Sequence, residues 1–138
     1  PKASTYLMQN KSFHRALNVT EEWNKVSDED CALMMGCVVA RTDFIENNPD
    51  AVELFIEEYA TSVSTANTDV NKTAELCETY KVIPKKAVAL QAIPNCGLVC
   101  VTGNLMKTRL SAYLKVLFDY SPAAIGGALP DEQFYYAK

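Results

Sequence analysis

The residues of this 138-residue chain best suited to metal binding or nucleophilic chemistry are five cysteines and one histidine. Cys31 and Cys37 would lie ~20 Å apart in an extended segment, whereas a disulfide requires Cα atoms within ~7 Å. Cys96 and Cys100 would lie ~13 Å apart, and an odd number of cysteines cannot form a closed set of bridges. His14 has no partner at zinc-ligand spacing and no second histidine to act as a base for a thiol. We therefore expect buried free thiols that pack as small apolar side chains.

Other catalytic patterns are absent from the sequence, which has no GxSxG, no HExxH, no glycine-rich phosphate loop and no calcium loop. The neighbouring carboxylates at 21–22, 28–30 and 57–58 are expected in loops or on polar helix faces, where solvation is their usual role. Trp23, the only tryptophan, could stack on a ligand, but such a residue more often anchors packing. The sequence thus predicts no catalytic residue, no metal ligand and no cofactor.

Two places remain where a ligand could be held. Residues 1–5 put small polar side chains at a predicted helix start, where free N–H groups favour an anion. Ser4 at this position also suits an ordinary N-cap. Asn95 lies in a turn between a predicted helix and a predicted strand, where its amide could face a cleft or simply complete the turn.

The composition limits the classes of partner. Hydrophobic residues make up 49% and charged residues 22% of the chain, as in a globular protein. Thirteen basic and seventeen acidic residues give a net charge of −4, which argues against nonspecific nucleic-acid binding. No stretch has the ~20 apolar residues needed to span a bilayer, so we expect no membrane span.

The elements that must position these residues are mostly helices. Asn48 and Pro49 form the strongest helix start, and Val70, Ala74 and Cys77 share one face of a following helix. Further helices are predicted near residues 4–8, 20–26, 84–93 and 104–120. Short apolar or β-branched runs predict strands at 15–19, 31–40 and 98–102. Because so few strands cannot form a stable sheet without covering layers, the pattern indicates that part of the fold lies elsewhere.

The order and spacing of six segments carry a resemblance to a known family. These are residues 1–5, 17–23, 35–44, 48–52, 92–96 and the ending 125–136, which contains Ile-Gly-Gly, Leu-Pro-Asp and Phe-Tyr-Tyr. Together they resemble the C-terminal part of the extracellular solute-binding proteins of ABC importers. The branch is that of nitrate-, sulfonate- and taurine-type and thiamine-precursor-type binding proteins.

This resemblance implies a two-lobed α/β fold, the type II periplasmic-binding-protein fold, with the ligand held at the hinge. It implies hinge-proximal strands and short helices in residues 1–45 and a helical cover of the first lobe in 46–138. Ala3, Ser4, Thr5, Gly36, Cys37 and Asn95 are the ligand-binding candidates that it carries over to this chain.

The implied function is capture of a small organic or anionic metabolite for delivery to an ABC permease, without enzymatic turnover. The implied setting is extracellular, on a membrane-anchored lipoprotein of a Gram-positive bacterium, or periplasmic. The implied partners also include a missing N-terminal half of the same protein. Two alternatives stay open, namely a thiamine-pyrimidine biosynthesis enzyme on the same fold and a stand-alone helical interaction domain.

Overall fold

A computed structural model of the chain describes residues 1–136. Helices account for 64% of it, and residues 1–136 contain no strand, so the fold is all-helical and the predicted α/β class is wrong. The seven α-helices are α1 (Lys2–Gln9), α2 (Val19–Val26), α3 (Thr42–Asn47), α4 (Pro49–Thr68), α5 (Val70–Thr79), α6 (Lys86–Ala92) and α7 (Gly103–Tyr120). Three short 3-10 helices are Ile93–Asn95, Pro122–Ile125 and Glu132–Phe134.

The predicted strands are absent because a strand requires a hydrogen-bonded neighbour, and no described segment provides one. Residues 31–40 and 98–102 are mostly irregular, without a ladder. The strand predicted at 15–19 competes with a helix cap. The side chain of Asn18 accepts a hydrogen bond from the Thr20 N–H at 3.2 Å, and α2 therefore begins at Val19.

Most predicted helices are confirmed, with small corrections at their caps. The helix starting at Pro49 is confirmed, although the Asn48 side chain makes no capping bond. Asp69 caps α5 by accepting from the Lys72 N–H at 2.9 Å. The N-cap predicted at Ser4 is wrong, because α1 begins at Lys2 with Pro1 as its cap.

The chain forms two compact units. Unit 1 comprises Pro1–His14 and Ala40–Cys100, and unit 2 comprises Arg15–Val39 and Val101–Lys138. The division predicted at residue 45 concerns the lobes of a larger protein and stays a prediction.

The core of unit 1 lies where α5 packs on α6. Ala74 and Ala89 are fully buried there, which lets the two helices approach closely. The predicted inward face of α5 is confirmed, since Val70 and Cys77 pack on the same cluster. Larger side chains complete the cluster: Ile83, Val88 and Ile93.

Unit 2 is built on α7, which packs against the 3-10 helix Pro122–Ile125. Leu110 is the buried residue of this helix. The loop that follows α2 contributes the second buried side chain, Cys31. No helix within residues 1–136 has the length and apolar character needed to cross a membrane.

Many large apolar side chains remain exposed on the described chain. Several of them lie in segment 33–39 of unit 2, where Met35 is 91% exposed and Val39 75%. A surface of this kind typically marks an interface with another polypeptide.

Candidate functional site

Trp23 organises the loop that follows α2. Its indole N–H donates a hydrogen bond to the Cys31 carbonyl at 2.7 Å. Its ring lies 5.5 Å from the Tyr113 ring of α7, tilted by 60°, a favourable aromatic geometry. The Cys31 N–H in turn donates to the Asp28 carbonyl at 2.9 Å, which closes a turn. Trp23 is therefore a packing anchor that holds loop 27–32 in place, the more common of the two roles expected for it.

A cavity of about 500 Å³ opens beside this loop, within the range of small-molecule sites. Side chains from α2, from loop 27–32 and from α7 surround it. They are Asn24, Ser27, Asp28, Glu29, Cys31, Ala32 and Arg109. We call this cavity the Arg109 pocket.

Arg109 is the cation of the pocket. Its Nε atom is buried and has no hydrogen-bond partner, and none of the ion pairs among residues 1–136 includes this side chain. A buried polar group without a partner costs free energy, and the cost is larger for a charged group. An oxyanion bound in the cavity would give the guanidinium a partner, and its planar fork is well suited to donate hydrogen bonds to such a group.

Two acidic residues line the same cavity. Asp28 and Glu29 are exposed, whereas Cys31 is buried and Arg109 half-buried. Burial raises the pKa of the Cys31 thiol, and the negative charge of the Asp28 carboxylate raises it further. The pocket thus presents both signs of charge to one space.

A second cavity of unit 2, of about 350 Å³, lies between α7 and the tail. Its two lysines are already compensated, since Lys107 pairs with Glu132 and Lys115 pairs with Asp119 at 2.7 Å. Burial is the main cause that raises the pKa of the Tyr135 hydroxyl there. The Glu132 carboxylate raises it further, and the Lys107 ammonium group lowers it. With its lysines paired, this cavity offers a ligand less than the Arg109 pocket does.

The six residues expected to bind ligand lie in three places. Ala3, Ser4 and Thr5 lie on α1, where the Thr5 hydroxyl donates to the Pro1 carbonyl at 3.0 Å. Gly36 and Cys37 are exposed in segment 33–39. Asn95 is exposed in Ile93–Asn95, and its amide donates to the Gln91 carbonyl at 2.9 Å.

None of these six residues lines either cavity described above. Their role at a hinge site stays a prediction.

Sequence reasoning missed Arg109 and placed Asp28 and Glu29 among solvated loop residues. A signal for Arg109 was present, because it lies three residues after Met106 and four before Tyr113 in α7 and so shares a helix face with these larger side chains. No local pattern identifies Asp28 as its neighbour on a cavity, since this depends on the folding of loop 27–32 against α7.

The five cysteines are free thiols, as expected. The expectation that all five are buried is wrong, because Cys31 is buried whereas Cys37 and Cys96 are exposed. Within residues 1–136, no three metal-ligating side chains come together.

The raised pKa of Cys31 predicts slow alkylation and a pH-dependent stability. Because the thiolate is the nucleophile, we expect iodoacetamide to label Cys37 and Cys96 well before Cys31, as measured by peptide mass spectrometry.

The folded state holds the Cys31 proton more tightly than the unfolded state. The free energy of unfolding should therefore fall as the pH rises past the ordinary thiol pKa. Cys31→Ala should remove this part of the pH-dependent fall in the free energy of unfolding. Equal labelling rates of the three thiols would contradict the expected slow alkylation of Cys31.

No family model, curated protein or solved structure matches this chain. The resemblance to solute-binding proteins therefore stays a prediction from the sequence.

Proposed function

We propose that this chain captures a small organic or anionic metabolite as part of a solute-binding protein that serves an ABC importer. The protein would act outside the cytoplasm, as an anchored lipoprotein or in a periplasm, and would deliver its ligand to the permease without chemical turnover. The observation that carries the proposal is the Arg109 pocket, a cavity of about 500 Å³ lined by the half-buried Arg109, which forms no ion pair among residues 1–136. The family resemblance supports the transport role.

We further propose that another stretch of the same polypeptide covers segment 33–39. The support is the exposure of Met35, Val38 and Val39, which are 91%, 59% and 75% accessible. Hiding one such side chain contributes roughly 1.5–3 kcal/mol. Covering the segment would thus stabilise a larger protein considerably.

The same exposed surface favours a second candidate, a helical interaction domain that binds a different protein. The two candidates differ in the Arg109 pocket, because an interaction domain has no need of an unpartnered guanidinium in a cavity. No observation on the described residues favours the third class, a thiamine-pyrimidine enzyme.

Trp23 provides the readout that tests ligand capture. As the only tryptophan, hydrogen-bonded to a residue that lines the pocket, its emission should change when the pocket is filled. We expect saturable changes with at least one of acetate, inorganic sulfate and L-alanine, and their loss in Arg109→Gln.

The matched control is Arg41→Gln, which removes the same charge from a side chain that is 81% exposed in unit 1. Ligand capture by this pocket is refuted if no probe gives a saturable change, or if the two variants behave alike. Where a probe binds, deletion of the encoding gene should lower cellular uptake of that compound. Unchanged uptake would refute the transport role.

A further inference from the structure

The Arg109 pocket carries information on the class of its ligand, beyond the capture function on which this inference rests. Arg109 lies on α7, whereas Asp28 and Glu29 lie on loop 27–32. Among residues 1–136, Arg109 forms an ion pair with neither carboxylate. Opposite charges therefore line one cavity without neutralising each other.

The two elements are held in this arrangement by the contacts of Trp23 and by a backbone turn. Trp23 bonds the Cys31 carbonyl and packs on Tyr113 of α7, so the loop is fixed to the helix that carries Arg109. The turn from Asp28 to Cys31 then fixes the backbone of the acidic residues. These contacts hold the backbone of the acidic residues beside the helix that carries Arg109.

A simple ion satisfies only part of such a site. An inorganic anion would be attracted by Arg109 but repelled by Asp28 and Glu29, and a simple cation would be attracted by the two carboxylates but would leave Arg109 without a partner. A molecule with an oxyanion at one end and an ammonium group at the other satisfies both ends at once. Because one cation and two carboxylates line the site, each end of such a molecule meets a group of opposite charge.

The size and polarity of the lining restrict the ligand further. The apolar contribution comes from Ala32 and the Cys31 thiol, while Asn24 and Ser27 supply hydrogen-bonding groups. A large apolar side chain would find little complementary surface there. We infer that the Arg109 pocket binds a small zwitterion of the α-amino acid class, with its carboxylate on Arg109 and its ammonium group towards Asp28 and Glu29.

The test compares three probes of similar size at constant ionic strength, since exposed charges are screened by salt. L-Alanine carries both charges, acetate only the negative and methylammonium only the positive. By titration calorimetry on the 138-residue chain, we expect L-alanine to bind at least tenfold more tightly than either single-charge probe. This is about the ratio that one charge-assisted hydrogen bond provides.

Three variants test the two ends of the ligand separately. Arg109→Gln should weaken L-alanine binding about tenfold to hundredfold, and Arg109→Lys should weaken it less, since it keeps the charge but loses the fork. The double variant Asp28→Asn with Glu29→Gln should weaken L-alanine and strengthen acetate. Circular dichroism verifies that each variant is folded, and Arg41→Gln is again the charge-matched control.

The outcomes distinguish this inference from the capture function. If acetate binds as tightly as L-alanine, or if the double variant leaves L-alanine binding unchanged, the zwitterion assignment is overturned while capture of an anion stands. If none of the three probes nor inorganic sulfate binds, both the assignment and the capture function fail. Selective binding of L-alanine that depends on both ends supports the assignment.

Discussion

Replacing Met35 and Val39 by aspartate is expected to convert a self-associating chain into a monomer. Both side chains lie on segment 33–39, and both are more than half exposed. Two copies that cover each other's segments would remove apolar surface from water, at roughly 25 cal/mol per Å². Aspartate at these positions would have to be desolvated in the interface, which opposes association.

Sedimentation velocity checks this expectation. The unchanged chain should sediment as a species heavier than 15.3 kDa and dissociate on dilution, whereas the double variant should remain monomeric. The control adds the same two negative charges at exposed polar positions, with Gln9→Glu and Asn71→Asp, and should still associate. A monomeric unchanged chain would contradict the prediction, and it would also weaken the proposal that another stretch of polypeptide covers this segment.

Truncating Trp23 to alanine is expected to produce the largest loss of stability in unit 2. The change removes the ring that packs at 5.5 Å on Tyr113 and the indole bond to the Cys31 carbonyl. Large aromatic truncations in cores cost ~3–5 kcal/mol, and Trp23 is partly buried, so we expect about 2–4 kcal/mol. Chemical denaturation followed by far-ultraviolet circular dichroism measures this change.

Trp23→Phe is the control that separates the two contributions. Phenylalanine keeps an aromatic ring against Tyr113 but cannot donate to the Cys31 carbonyl, so its cost should be nearer 1 kcal/mol. In Trp23→Ala, the loop should also loosen enough for Cys31 to react readily with iodoacetamide. Wild-type stability and a protected Cys31 in Trp23→Ala would show that the loop does not depend on this anchor.

The helices of this chain follow from local sequence signals. The start of α4 at Pro49 follows from the fixed φ of proline, and the start of α5 follows from the capping side chain of Asp69. The inward face of α5 follows from the spacing of Val70, Ala74 and Cys77. Each of these features depends on residues within a few positions of one another, which is why sequence patterns could predict them.

The strands and the pocket depend on residues that are distant in sequence. Residues 31–40 are apolar and β-branched, but such a run becomes a strand only beside a hydrogen-bonded neighbour, and residues 1–136 supply none. The surroundings of Arg109 likewise depend on where Trp23 fixes loop 27–32. The missing strand neighbour of residues 31–40 and the loop beside Arg109 are both distant in sequence from the residues that depend on them.

Sequence by itself therefore determined the starts of α4 and α5, the core face of α5, the end of α7 before Ser121 and the presence of free thiols, but it missed α3. Only the tertiary structure decided that the apolar runs stay unpaired, that Trp23 is an anchor, and that Arg109 shares a cavity with Asp28 and Glu29. The physical reason is the range of the interactions. Helix capping and periodic burial act within a few turns of one chain segment, whereas strand pairing and charge juxtaposition require segments that only the folded chain brings together.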